Sequence, residues 1–163
     1  MTCLIAVLTL TARLMEPAQQ LPSAIAIAPM YRPAVAAMLR YSPTFRRQWS
    51  RIARTRNLYV EITAAPANGV IAGGALTRIV RGVRGMEADV QLLPAGEPVL
   101  LIAHEFEHIL EQLDGVDLPA MATRVATGVH LVADSGHFET DRAIAAGRRV
   151  MEEVRWGRSK GGT

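Results

Sequence analysis

Two histidines four residues apart are the clearest chemical feature of this sequence. His104 and His108 bracket the run HEFEH, which occupies residues 104–108. On a helix, side chains at this spacing lie on one face one turn apart, so both imidazoles can bind one tetrahedral Zn²⁺ at about 2.0–2.1 Å. Glu105 is offset around the helix, where it can take a proton from a water at the metal without being a ligand. The pattern is therefore that of an H-E-x-x-H zinc site with Glu105 as general base.

A catalytic zinc site needs a third protein ligand, and two acidic residues compete for that role. Glu139 precedes small apolar residues at helical spacing, so we place it at the start of the final helix, above an inward-facing stripe. A carboxylate there should bind a cation, although acids also favour the first turn of any helix. Asp114 follows His108 by six residues, but Glu111 stands where the necessary turn would want a glycine. We therefore predict Glu139 as the ligand and interpret Asp114 as the end of a helix.

Four further residues are candidates for supporting roles around the metal. Glu111 or Asp134 could orient a ligand histidine through a hydrogen bond. His137, two residues before Glu139, is predicted to donate a hydrogen bond to a developing oxyanion and is assigned a catalytic role. His130 is interpreted as a loop histidine without a metal role.

The elements that must position these residues follow from hydrophobic periodicity and from turn formers. Helical spacing predicts helices over 34–40, 43–54, 99–113 and 138–155, with Ser42 as N-cap and Gly115 at a C-cap position. Alternation and β-branched residues predict strands Leu58–Ala64, Ala75–Val83 and Glu87–Leu93. The last two strands are a candidate hairpin. This order predicts an α+β fold in which a small antiparallel or mixed sheet of about three strands packs against the zinc helix and a C-terminal ligand helix.

Composition restricts how a metal can be held. The chain has 163 residues, enough for one domain with its own core, and half of them are apolar. Cys3 is the single cysteine, so neither a disulfide framework nor a cysteine-rich zinc site is available within one chain. Any metal must be held by histidines and carboxylates.

The motifs resemble the gluzincin branch of zinc peptidases. The sequence is also similar to small bacterial proteins of uncharacterised function that pair an AHE-x-x-H helix with a downstream F-E-T helix, here Phe138-Glu139-Thr140. The resemblance spans about 58–154 and implies a zincin-like fold. It also implies His104, His108 and Glu139 as ligands and Glu105 as the base. In gluzincins an edge strand of the sheet pairs with the extended substrate, which implies Glu87–Leu93 as the substrate-binding edge.

The two ends of the sequence are assigned differently from its centre. Residues 1–33 contain an apolar run, 3–12, followed by a proline-rich linker. The apolar run could be a signal peptide, a membrane anchor or a strand of the core, and the sequence does not decide between them. Residues 34–156 are predicted to form a single metal-binding domain, and residues 157–163 a flexible tail. We favour export, as a periplasmic, secreted or membrane-anchored protein, with a cytoplasmic location as the alternative.

A run of arginines lies between Arg40 and Arg56, in a stretch that contains no acid. It could face an anionic membrane or a nucleic acid, but the commoner interpretation is a solvated helix face. No nucleic-acid fold signature accompanies it, so we expect no nucleic-acid partner.

The function that these features predict is a zinc-dependent hydrolase, more narrowly a metallopeptidase acting on peptides or proteins. The alternative from another class is a catalytically silent, zinc-stabilised binding or membrane-associated module. A third interpretation uses the basic helix for nucleic acid, with the zinc purely structural.

Overall fold

The structure is a computed structural model that describes residues 24–66, 74–83, 85–132 and 136–160. Twelve elements occur in these ranges: six strands, five α-helices and one 3₁₀ turn. In chain order they are β1 (Ala24–Ile27), a 3₁₀ turn (Pro29–Tyr31), α1 (Arg32–Tyr41), α2 (Pro43–Arg54), β2 (Leu58–Ala64), β3 (Ala75–Gly82), β4 (Gly85–Leu92), α3 (Pro98–Leu113), α4 (Leu118–Ala122), β5 (Val129–Leu131), β6 (Phe138–Thr140) and α5 (Asp141–Lys160). The α+β class is confirmed.

The main sheet is mixed and has four strands in the order β1-β2-β4-β3. Strand β2 pairs in parallel with both β1 and β4, whereas β3 and β4 are antiparallel. The three predicted strands are present, and the predicted hairpin is the β3–β4 pair. Strand β4 lies between β2 and β3, so the expectation that Glu87–Leu93 forms a substrate-binding edge is wrong. The edge on that side of the sheet is β3.

The linker predicted up to residue 33 is wrong for its described part. Residues 24–27 form β1, which pairs with Tyr59–Ile62 of β2, and Pro33 lies in the first turn of α1. Prolines are tolerated at the border of an edge strand and at the start of a helix, because those positions need no backbone N–H. Counting prolines therefore overestimated the irregular segment. The apolar run at 3–12, and with it the signal or anchor prediction, lies outside the described residues.

The junction between α1 and α2 follows the predicted capping chemistry. Ser42 is the N-cap of α2, Pro43 stands in the first turn, and the Ser42 hydroxyl accepts a hydrogen bond from the backbone N–H of Phe45 at 2.9 Å. The Ser42 hydroxyl also donates to the Glu153 carboxylate of α5. That carboxylate accepts two further hydrogen bonds from Thr44, at 3.1 and 2.8 Å. A single acid on α5 thus fixes the start of α2.

Helix α3 crosses the centre of the molecule and is almost fully enclosed. Val99, Ile102, Phe106 and Ile109 form a buried apolar stripe along it, and Phe106 stacks on Phe45 of α2 with ring centroids 5.3 Å apart. The helix begins with Pro98 and ends before Gly115, whose φ of +72° suits the residue after a helix C-cap. Burial on several sides holds the backbone of α3 in place, which fixes the direction of its histidines.

Helix α5 begins later and ends later than predicted. Residues 138–140 form β6, which pairs with β5, and the helix runs from Asp141 to Lys160. The tail predicted as flexible is therefore helical over 157–160, while residues 161–163 lie outside the described residues. Gly147 allows α5 to approach α3 closely, because a Cβ there would lie 2.9 Å from the Leu100 carbonyl oxygen and 3.3 Å from the His104 Cβ.

The arginine run is exposed along α1 and α2 and is partly used within the fold. Arg46 donates hydrogen bonds to the carbonyls of Leu39 and Arg40 at the end of α1, and Arg51 pairs with Asp114. No helix in the described part of the chain combines the length and the apolar composition needed to cross a lipid bilayer.

Candidate metal centre

Three predicted residues bring one donor atom each to a common point. His104 Nε2 lies 3.1 Å from His108 Nε2 and 3.2 Å from Glu139 Oε1, and His108 Nε2 lies 3.7 Å from the same Glu139 oxygen. All three side chains are partly buried. The group could hold a metal ion.

The size of this triangle fits a tetrahedral ion. For bonds of about 2.05 Å, two ligand atoms of a tetrahedral zinc are about 3.3 Å apart, whereas neighbouring ligands of an octahedral Mg²⁺ are about 2.9 Å apart. The three distances, 3.1, 3.2 and 3.7 Å, bracket the tetrahedral value. Two imidazoles and one carboxylate leave a fourth position open. The donor set and its spacing therefore fit a four-coordinate metal with one exchangeable position.

Each donor is placed by a different feature of the fold. The two imidazoles project from successive turns of α3, with ring centroids 4.8 Å apart and ring planes at 76°. Glu139 was predicted at the start of the last helix, but it lies in the short strand β6, opposite His130 of β5. The backbone N–H of Thr140 donates to Glu139 Oε1 at 2.7 Å and orients the carboxylate. The predicted element was therefore wrong, since α5 begins two residues later, at Asp141, while Glu139 still lies within reach of both histidines.

Glu111 orients His108 through a hydrogen bond. The sequence had left open whether Glu111 or Asp134 would orient a histidine. His108 Nδ1 is 2.9 Å from Glu111 Oε2, which directs Nε2 towards the other donors. Glu111 is 2% exposed. Its second oxygen accepts a hydrogen bond from the Thr140 hydroxyl at 2.7 Å, and that hydroxyl accepts from the backbone N–H of Ala143 at 3.0 Å. Glu111 therefore ties the histidine ligand to the strand that carries Glu139. Asp134 lies outside the described residues.

The charges of the centre are strongly coupled in the absence of a metal. Burial disfavours the charge on His108, but hydrogen bonds to Glu111 and Glu139 outweigh burial and raise the pKa of His108 to about 10. Burial likewise disfavours the Glu139 carboxylate, but hydrogen bonds from His104 and His108 outweigh it and lower the pKa of Glu139. Without a metal, a proton on His108 supplies the positive charge that the surrounding carboxylates require.

Glu105 lies beside the three donors without joining them. Its Oε1 is 4.0 Å from His104 Nε2, and its side chain is buried but lines the same cavity. Glu105 thus lies next to the three donors without being one of them, and its role as a general base stays a prediction.

A cavity of about 810 Å³ opens over the donors. Strand β3 forms one wall through Ala75 and Thr77, α5 forms another through Ile144 and Arg148, and His137 lines the loop side. The predicted catalytic His137 therefore shares the cavity with His104 and Glu105, and its role as a hydrogen-bond donor stays a prediction.

The remaining candidates lie away from the donors. Asp114 pairs with Arg51 and, at 2.9 Å, with Arg142, which agrees with its interpretation as the end of a helix. His130 lies 3.2 Å from Asp141 on the exposed face of the β5–β6 pair.

Sequence reasoning missed three contributors to the centre. The hydroxyl of Thr140 bridges Glu111 to the start of α5, Gly147 sets the distance between α3 and α5, and Arg148 adds a cation to the cavity wall. A glycine inside an otherwise regular helix was the available signal for a close helix contact. Thr140 belongs to the F-E-T motif but was given no role of its own, and nothing in the sequence pattern distinguished Arg148 from its neighbours.

Comparison with known proteins gives no match. Neither models of protein families, nor curated proteins, nor solved structures match the chain. What bears on function is therefore the motif and the geometry described above.

Proposed function

We propose that this protein is a zinc-dependent hydrolase, and more narrowly a metallopeptidase. The observation that carries the proposal is the convergence of His104 Nε2, His108 Nε2 and Glu139 Oε1 at separations of 3.1 to 3.7 Å, with Glu105 beside them in an open cavity. A structural zinc site is closed by four protein ligands, whereas a hydrolytic site keeps three and leaves one position to water or substrate. Three ligands at the floor of a cavity favour the second type.

Zinc is favoured over Mg²⁺ and Ca²⁺ by the donor set. Imidazole nitrogens suit Zn²⁺, whereas Mg²⁺ and Ca²⁺ take oxygen ligands almost entirely. Bound here, zinc would polarise a substrate carbonyl and lower the pKa of a water to about 7. Glu111 holds His108 in the tautomer whose Nε2 is available as a ligand.

Glu105 is the residue proposed to move the proton. Its carboxylate accepts a proton from the attacking water and passes it to the leaving amine, as the general base of an H-E-x-x-H site does. Its burial keeps competing bulk water away from that transfer. His137, on the loop side of the cavity, is proposed to donate a hydrogen bond to the oxygen of the scissile carbonyl.

The edge strand β3 is proposed to hold an extended substrate. It pairs with β4 on one side, no strand among the described residues pairs with its other side, and Ala75, Leu76 and Thr77 line the cavity. A peptide added to such an edge is held by backbone hydrogen bonds, largely independently of its sequence. This geometry favours a peptide over a compact small molecule.

The substitution Glu105→Gln tests the enzyme proposal, with Glu107→Gln as a matched control two residues along the same helix. Glu107 faces Gln48 and Arg142 and does not line the cavity. Zinc content and turnover of a fluorescent peptide mixture are measured for both variants, and turnover is normalised to zinc-loaded protein. We expect Glu105→Gln to keep its zinc and to lose at least about a hundredfold in turnover, and Glu107→Gln to keep both.

Three results would count against this assignment. Loss of zinc in Glu105→Gln would mean that Glu105 is a ligand, and full retained turnover would place the general base elsewhere. A zinc-loaded wild-type protein that cleaves nothing in a broad peptide mixture would favour the silent zinc-stabilised module.

A further inference from the structure

The wall of the metal cavity carries one strong cation. Among the described residues that line it, Arg148 is the only arginine or lysine; it is exposed, and it shares the cavity with Glu105 and Glu139. A cation on the wall of a cavity over a proposed metal site can form an ion pair with a molecule bound in that cavity.

The position of Arg148 is fixed by the contact between two helices. Gly147 packs against Leu100 and His104 of α3. Arg148, the next residue, therefore lies beside this contact, close to the proposed ligand His104. Ile144, one turn earlier on α5, lines the same cavity. Arg148 is therefore mounted on a rigid helix, a better platform for selective recognition than a loop.

Arg148 differs from the other arginines around α3 in its partners. Arg51 and Arg142 pair with acids of α3, and Arg149 pairs with Glu153 at 3.4 Å. Arg148, in contrast, forms no hydrogen bond or ion pair with any residue in the described ranges. Its guanidinium donors remain available to a molecule in the cavity.

We infer that Arg148 recognises a carboxylate of the substrate, placed at a fixed distance from the bond that is cleaved. The inference rests on the proposed hydrolase function. A guanidinium binds a carboxylate through two parallel hydrogen bonds, which gives both affinity and orientation. That carboxylate is either the free C-terminus of a short peptide or an acidic side chain, and the two sources share this chemistry.

Ligand binding to the cobalt-substituted protein tests the inference without requiring turnover. The visible spectrum of Co²⁺ reports any thiol that enters the open metal position. The probes are mercaptoacetyl-glycine, mercaptoacetyl-diglycine and mercaptoacetyl-triglycine, each with a free carboxylate or as the terminal amide. Mercaptoacetyl-aspartate and mercaptoacetyl-glutamate, both amidated at the C-terminus, supply the side-chain carboxylate. The series varies the distance between thiol and carboxylate by about 3.5 Å per residue.

We expect at least one carboxylate probe to bind tenfold or more tightly than its neutral counterpart. Arg148→Ala should remove this preference, and Arg148→Lys should retain only part of it, because an ammonium cannot form the paired hydrogen bonds. The control is Arg155→Ala, an equal change of charge on the same face of α5 two turns away, which should keep the preference. The probe that carries the preference identifies the source of the carboxylate.

The outcomes separate this inference from the proposed function. If the wild-type protein binds cobalt and thiols but does not distinguish carboxylates from amides, the role of Arg148 is overturned while the metal site stands. A preference that persists in Arg148→Ala overturns it equally. If cobalt itself does not bind, the proposed function fails.

Discussion

Two polar clusters flank the contact between α3 and α5, and they balance their charges in different ways. On one side, Glu107 accepts hydrogen bonds from Gln48 and Arg142 at 2.6 Å, and Arg142 continues to Asp114 at 2.9 Å. Each of these acids faces a cation within the protein, and hydrogen bonds to Arg51 and Arg142 lower the pKa of Asp114.

On the other side, no arginine or lysine among the described residues pairs with the converging donors. Two imidazoles and Glu139 point to one another, and the metal-free protein balances them with a proton on His108, whose pKa is raised to about 10. Both clusters contain a buried glutamate of α3, Glu107 in the first and Glu111 in the second. They differ in the source of the positive charge: arginines supply it in the first, whereas in the second it comes from a proton on His108 or, in our proposal, from a bound metal.

The largest expected difference between the two sides comes from removing one acid from each. Glu139→Ala should lower zinc affinity by at least about a hundredfold and destabilise the zinc-loaded protein, because a site that loses one of three ligands loses metal-linked folding energy. Asp114→Ala should leave zinc affinity unchanged and cost about 1 kcal/mol or less, since its partners are exposed. Competition with a chelating dye, together with thermal melts, measures both quantities. Equal zinc affinity in the two variants would remove the distinction between the clusters.

A pair of isosteric changes at the two buried acids sharpens the comparison. Glu111→Gln should weaken zinc binding by about 10- to 100-fold, because a neutral amide no longer orients and polarises His108. Glu107→Gln should leave zinc affinity intact but cost about 1–3 kcal/mol of stability, because Arg142 loses one of its two charged partners, the one that is buried. Urea unfolding of the metal-free variants and zinc titration of each give the two numbers. A weakened zinc site in Glu107→Gln would show that the networks are coupled.

Two glycines of α5 test whether helix spacing matters to the metal specifically. A Cβ at Gly147 would crowd Leu100 and His104, and a Cβ at Gly157 would crowd Tyr41. Both alanine variants should therefore lose about 1–3 kcal/mol of stability through overpacking. Only Gly147→Ala should also lower zinc affinity, because it moves α5 away from the ligand helix. Similar zinc affinities in the two variants would contradict this role for Gly147.

The smallest expected signal is the proton that zinc displaces. The His108 pKa of about 10 in the metal-free protein means that His108 is charged at pH 8 and must release its proton to bind zinc. Calorimetry at pH 8 in buffers of different ionisation enthalpy should detect at least one proton released per zinc, one from His108 and up to one more from a zinc-bound water with a pKa of about 7, and zinc affinity should fall as pH is lowered. In Glu111→Gln, which loses one source of the raised pKa, the release should be smaller. Zero release in the wild-type protein would mean that His108 is neutral before zinc arrives.

Local patterns predicted those parts of the fold that depend on neighbours in sequence. The cap at Ser42, the strand Leu58–Ala64 and the spacing of His104 and His108 are all properties of short segments. Strand β1 was missed because its four residues are defined by pairing with β2, a contact more than 30 residues away along the chain. The position of the sheet edge also depends on pairing between segments that are distant in sequence. The substrate-binding edge was therefore assigned to β4, whereas the edge strand is β3.

The site was predictable where one helix supplies the geometry and less so where two elements meet. Glu111 was one of two candidates, with Asp134, to orient a ligand histidine, and in the structure it lies three residues after His108 on the same helix and pairs with it. Its second bond, to Thr140, joins residues 29 apart, and no periodicity encodes that distance. Arg148 is distinguished from Arg149 only by which side of the helix contact it occupies.

Metal analysis of the purified protein, refolded with zinc and dialysed, tests the central claim most directly. The account predicts close to one zinc per chain, with X-ray absorption showing two imidazole nitrogens and oxygen ligands at about 2.0–2.2 Å. His108→Ala should lose that zinc. A refolded wild-type protein that holds well under half an equivalent, or that holds zinc equally well without His108, would contradict the account.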